Sequence, residues 1–351
     1  ISSSHEVGHT LGLRHNFGSS STVPVDSLRN KAWVEAHGHT PSIMDYARFN
    51  YVAQPEDNIS RAGIFPRIND YDEWAIRWGY TYQPDAKDED DDHRLMEEMT
   101  AKSQENPRLW WGDGETSLGQ SDPRCQTEDL GDDAMKASAY GIQNLKYEIS
   151  RLPEWTSDDP KDIYGDALER MYQQTRGQFL RYCGHVTRNI GGVLYTYRTK
   201  EQPGDKYVPQ PLEKQKAALK FMDEQVLHEP MWLRDMSYAQ RFTANPEELT
   251  QGVGTAAMRM LMDRLDVKNE TYTPQAYLTD LTRLVFSEAR TGEKVSNYRK
   301  NLQSQMLEHL LRANGNSNAY IQPAVLYTLQ QLQQLRSEEH TSELQSRLHL
   351  V

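Results

Sequence analysis

Residues 5–15 read HEVGHTLGLRH, and this run limits the local fold more than any other stretch of the chain. His5 and His9 are four apart, so a helix carries them one turn apart on one face, where both can reach a single metal ion. Glu6 projects from an adjoining part of that face, where it can touch a water on the metal without being a ligand. Gly12 lacks a Cβ and takes a positive φ without strain, which predicts a helix from Ser3 to about Gly12 and then a sharp exit. That exit can bring His15 back as a third ligand. Three protein ligands with a fourth position left to water is the pattern of a catalytic zinc site; a structural site closes with a fourth Cys or His, and none stands at a suitable spacing. The expected chemistry is hydrolysis, with His5, His9 and His15 holding Zn2+ as neutral imidazoles and Glu6 acting as general base. His37 and His39, in EAHGHTPS, are the nearby rivals and read as loop-surface residues.

The 351 residues are 37% hydrophobic and 26% charged, a globular composition with length for one large domain or two. A formal net charge of −12 without a basic stripe excludes a general electrostatic footprint for nucleic acid. No apolar run reaches the roughly 18 residues of a membrane span, so no transmembrane segment is expected. Cys125 and Cys183 belong to no CxxC pair and read as free buried thiols. Because residue 1 is Ile rather than Met, the chain is expected to be a fragment truncated ahead of the motif, with any signal peptide outside it. At the other end, Arg336 to Ser346 are what a common sequencing adapter encodes. Residues 336–351 are therefore read as an artefact and left out of fold reasoning.

Residues 18–41 read as loop with a short helix around DSLRNKAWVEAHG, and PSIMDYARFNYVAQPED as a turn-like segment. INDYDEWAIRWGY reads as a helix with Asp70 as its N-cap. The acidic block QPDAKDEDDDHR, residues 83–94, reads as a solvated loop at a boundary and lacks the spacing of an EF-hand. Beyond about Thr127, apolar residues recur at helical intervals in an antiparallel array of helices. The exception is GGVLYTYRTKEQPGDKYVPQP, where a Pro-Gly-Asp turn between aromatic and β-branched residues predicts a hairpin. Trp110, Trp111, Tyr195 and Tyr197 are candidate contact surfaces that read more simply as packing. The expected division is 1–84 for the zinc-motif region, 85–126 for an acidic linker, 127–335 for a helical domain and 336–351 for the tail.

SIMDY, Ser42 to Tyr46, places its methionine 29 residues after His15. It is similar to the Met-turn of metzincin zinc proteases, whose extended HExxHxxGxxH motif the first run also resembles. The resemblance implies that Met44 forms a soft apolar floor beneath the zinc site, and that Tyr46 approaches the metal and donates a hydrogen bond to the developing oxyanion. HEVGHTLGLRHNF, SIMDYARFNYVAQPED, YDEWAIRWGY, SDPRCQTEDLGDDAMKASAYGIQNLK and RYCGHVTRNIGGV, taken in order, resemble successive blocks of a bacterial zinc-dependent metalloprotease family, Met-zincin. This implies a mainly α fold: a zinc helix plus Met-turn subdomain lacking its N-terminal sheet, followed by a large helical domain with one β-hairpin. It also implies a zinc-dependent metalloendopeptidase exported to the periplasm or the exterior, with protein or peptide substrates and an open oligomeric state. The alternative is a catalytically inactive helical binding module with a vestigial zinc site, since the sheet whose edge strand aligns substrates in metzincins is not encoded. A zinc hydrolase of non-peptide amides would use the same ligands.

Overall fold

Helices dominate the chain, as the apolar periodicity predicts. The computed structural model describes residues 2–103, 105–116, 121–157, 162, 164–198, 202–266, 270–315 and 318–348, with the backbone alone for 266 and 336–348. Among these, the α-helices are α1 Ser2–Thr10, α2 Val25–Leu28, α3 Lys31–His37, α4 Arg61–Ile64, α5 Asp70–Tyr80, α6 Glu89–Ser103 and α7 Ala134–Trp155. They continue as α8 Asp166–Thr187, α9 Leu212–Met222, α10 Glu248–Met262, α11 Pro274–Val285, α12 Glu288–Thr291, α13 Asn297–Ala313 and α14 Ile321–Leu348. Strands β1 Val193–Tyr195 and β2 Tyr207–Pro209 pair antiparallel, with Tyr195 opposite Tyr207 and their rings stacked 4.9 Å apart. No helix among the described residues is long and apolar enough to cross a membrane.

The chain divides into two compact units. The first takes residues 1–148 and 192–209; the second takes 149–191 and 210–351. The hairpin thus leaves the helical stretch that surrounds it in sequence and groups with the zinc-motif region. Tyr195 N donates to Asp122 Oδ2 at 2.7 Å, and Arg124 Nη2 donates to the Tyr195 carbonyl at 3.3 Å.

In the first unit much of the chain is loop, and two local expectations change. The acidic block is loop only as far as residue 88: residues 89–103 form α6, with Glu89, Asp90, Asp91 and Asp92 in its first turn. Carboxylates there face the positive end of the helix dipole, so the repulsion that suggests a loop is offset by position. Arg94 donates to Glu98 at 2.7 Å one turn on. In α5 the N-cap is Asn69 rather than Asp70; Asp72, at the third helical position, accepts from Asn69 N at 3.0 Å.

The second unit is held by interlocking apolar helix faces. Tyr172, Phe179, Val253, Met258, Leu261, Leu278, Leu281, Leu302 and Met306 are fully buried. At Gly254 of α10 an added Cβ would lie 2.9 Å from the Tyr298 ring, so glycine permits α10 and α13 to approach closely. One cation enters this core fully satisfied: Arg299 donates to the carbonyls of Leu227, Leu284 and Val285 and to the Glu288 carboxylate. Cys125 and Cys183 are free and buried.

Candidate metal centre

α1 ends in a Schellman motif. Gly12, at φ 85°, lets Gly12 N donate to the His9 carbonyl and Leu13 N to the Gly8 carbonyl, both at 3.0 Å. This tight reversal returns the chain over the last turn of α1 and carries His15 back to the two helical histidines. One ring nitrogen from each of His5, His9 and His15 lies within 4.8 Å of the others.

Hydrogen bonds at the back of each ring decide which nitrogen faces the centre. His5 Nδ1 donates to the Ile43 carbonyl at 2.8 Å, His9 Nδ1 to the Leu13 carbonyl at 2.9 Å, and His15 Nδ1 to Glu115 Oε1 at 2.6 Å. Carbonyls and carboxylates only accept, so each neutral ring carries its proton on Nδ1 and turns a bare Nε2 inward. His9 Nε2 and His15 Nε2 stand 3.1 Å apart, and His5 Nε2 is buried with no hydrogen-bond partner among the described residues. Two lone pairs at that distance cannot hydrogen-bond one another. They suit a shared cation: with zinc–nitrogen bonds of about 2.0–2.1 Å, tetrahedral ligands lie roughly 3.3 Å apart. The donor set therefore fits Zn2+.

Beneath the histidines lies the turn Ser42–Tyr46. Met44 is fully buried, and its sulfur reaches so close to α1 that a Cβ at Gly8 would meet Met44 Sδ at 2.4 Å. Gly8, between the two helical histidines, is thus required for this floor, a role that its place in HEVGH alone did not disclose. The turn is clamped by Asp72 at the start of α5, which accepts from Ser42 Oγ at 2.7 Å and Ile43 N at 2.8 Å. Asp45 accepts from Ser20 N at 2.7 Å and Thr40 Oγ1 at 3.0 Å. Burial pushes the Asp45 carboxyl up to about 8 despite these donors. Asn16, next to the third histidine, ties two segments together: its main-chain N donates to the Met44 carbonyl at 3.1 Å, and its side-chain oxygen accepts from Gly112 N at 2.9 Å.

The other expected residues sort as follows. Tyr46 sets its ring 5.1 Å from His5 and 4.9 Å from His15, with Phe17 at 5.5 Å behind it. Glu6 is exposed on α1 and has no hydrogen-bond or ion-pair partner among the described residues. His37 is exposed, but His39 is not a surface residue. Its ring is wholly buried with neither nitrogen bonded, and burial pushes its pKa down to about 3, with Arg67 adding to the effect. The Trp pair belongs to the centre's surroundings: Trp111 Nε1 donates to the His15 carbonyl at 2.8 Å, and the Arg124 guanidinium lies 4.3 Å from the Trp110 ring. Glu115, Asp72 and Gly8 are the contributors that sequence spacing missed. The two carboxylates lie far from the motif along the chain and carry no signal in a single sequence.

A family model described as Met-zincin matches residues 2–293. No curated protein and no solved structure matches the chain. The match spans well over half of the 351 residues, so the chain belongs to the Met-zincin family, a class of zinc metallopeptidases.

Proposed function

We propose, with membership of the Met-zincin family as the premise, that this chain carries the hydrolytic centre of a metalloendopeptidase acting on protein or peptide substrates. The observation behind the proposal is the convergence of three bare Nε2 atoms, each oriented by a committed Nδ1 donor. His5, His9 and His15 would hold Zn2+, which when bound supplies Lewis acidity that activates water and polarises the scissile carbonyl. Glu6 takes the proton of the attacking water and passes it to the leaving amine, a role that suits an accessible carboxylate without competing partners. Tyr46 stands beside two of the histidines and donates its hydroxyl to the developing oxyanion. Met44 and Gly12 support the ligands without touching substrate. An exported location agrees with the peptidase family and is part of the proposal.

The test is a peptide-library digestion by the full chain with and without chelator, alongside elemental analysis for zinc. Chelator-sensitive cleavage is the expected result. Stoichiometric zinc with no cleavage of any peptide would favour the binding-module alternative.

A further inference from the structure

We propose that the β-hairpin is a remote support for the third metal ligand, acting through Tyr197, Asp113 and Glu115 on His15; this rests on the zinc reading given above. Two of the three histidines are oriented by main-chain carbonyls, His9 by that of Leu13 and His5 by that of Ile43. His15 alone is oriented by a side-chain carboxylate, that of Glu115, from 100 residues further along the chain. A carboxylate behind an imidazole does more than fix its tautomer, because its negative charge also makes the opposite nitrogen a stronger donor to a cation.

Glu115 is itself held by a built turn. Asp113 is buried, and its Oδ1 accepts from Glu115 N at 2.9 Å while Oδ2 accepts from Thr116 Oγ1 at 2.6 Å. The same Oδ2 accepts from Tyr197 Oη at 3.2 Å, just beyond β1. Burial and the Asp113 charge push the Tyr197 phenol up to about 12, so it stays protonated and donates. The Tyr197 ring also lies 5.1 Å from that of Trp111, whose Nε1 holds the His15 carbonyl. The segment from Trp111 to Glu115 therefore grips both the main chain and the ring of His15, and the hairpin braces that segment. Glu115 is a positioning residue: it touches the ligand and not the reacting atoms.

The test uses the full chain. Zinc affinity is measured by competition with a chromogenic chelator, and the protonation site of His15 in metal-free protein by long-range proton–nitrogen NMR. Glu115→Ala is expected to lower zinc affinity about ten- to a hundredfold and to release the His15 proton from a single tautomer. Glu115→Gln, whose amide oxygen still accepts from Nδ1, should restore most of the single tautomer and part of the affinity. Tyr197→Phe should lower affinity in the same direction by less. Parental affinity and an unchanged tautomer in Glu115→Ala would overturn the inference, as would parental affinity in Tyr197→Phe. His15→Ala separates the two readings. If it loses zinc while Glu115→Ala keeps it, this inference alone fails; if it keeps zinc, the metal reading fails as well.

Discussion

The two units bury polar and apolar groups in different proportions. Around the candidate metal centre the interior is studded with polar side chains that bond the main chain of loops: Asp45, Asp72, Asn16 and also Asn50, which donates to the Leu28 and Gly63 carbonyls. In the second unit the interior is mostly Leu, Met, Val and aromatic rings between helices, with fewer buried polar side chains, among them Gln215, Thr250 and the fully bonded Arg299. The reason lies in the backbone. A helix satisfies its own N–H and C=O groups and needs only an apolar face, whereas a loop leaves those groups to find acceptors and donors elsewhere. A site built on loops is therefore fixed by individual hydrogen bonds, and a scaffold built on helices by shared surface.

That contrast can be broken or sharpened, and the largest effect should come from a change that leaves both interiors intact. Glu6→Gln removes the proposed proton shuttle but neither proposed ligands nor packing, so turnover should fall about 10²–10⁴-fold while zinc content by elemental analysis stays at the parental level. Cleavage at the parental rate would remove Glu6 from its role.

Next come paired interior truncations. Asp72→Ala leaves Ser42 Oγ, Ile43 N and Asn69 N without their acceptor; it should cost about 3–5 kcal/mol in denaturant unfolding and loosen zinc. Leu281→Ala in α11 should cost a similar amount, about 2–5 kcal/mol, through a cavity, but with zinc affinity unchanged. Equal zinc loss in both variants would dissolve the distinction between the two interiors.

A smaller effect, of opposite sign at two neighbouring positions, is expected from pH. His39, pushed down to about 3 from 6.5, binds no proton in the folded chain where the unfolded chain does, so stability is lost as pH falls below 6.5. His39→Leu should gain on the parent by about 1.4 kcal/mol per pH unit below 6.5, or about 2 kcal/mol at pH 5. Asp45, pushed up to about 8 from 3.8, loses stability as pH rises between those values, so Asp45→Asn should gain on the parent in that direction. Unfolding curves at several pH values that run parallel for variant and parent would contradict both assignments.

The smallest effect is a helix cap. Thr273 accepts from Ala276 N at the start of α11, and Thr273→Ala should cost about 1 kcal/mol with no change in zinc affinity.

Much of the architecture can be read from local pattern. The first helix, the reversal at Gly12, the pairing of β1 with β2 and the long amphipathic helices all follow from local pattern, which a sequence displays directly. Three features could not be read that way. α6 carries a charge block whose effect depends on its falling in a first turn. His39 is polar and flanked by glycine and threonine, yet it is enclosed by segments from elsewhere in the first unit. Asn69 and Asp70 are equally good caps by type, and the choice of Asn69 goes with Asp72 being drawn toward Ser42 and Ile43.

The sequence by itself determined the donor chemistry: three imidazoles and a carboxylate at helical and turn spacing, with a methionine turn to follow. Tertiary structure decided how that chemistry is held. It selected Nδ1 as the proton-bearing nitrogen of each ring, required glycine at position 8 so that Met44 could lie under the helix, and brought Glu115 to His15 and Tyr197 to Asp113. Spacing along a helix fixes direction within one turn. Contact between residues 100 positions apart depends on where loops close, and single residues far apart in a chain leave no periodic trace of that closure.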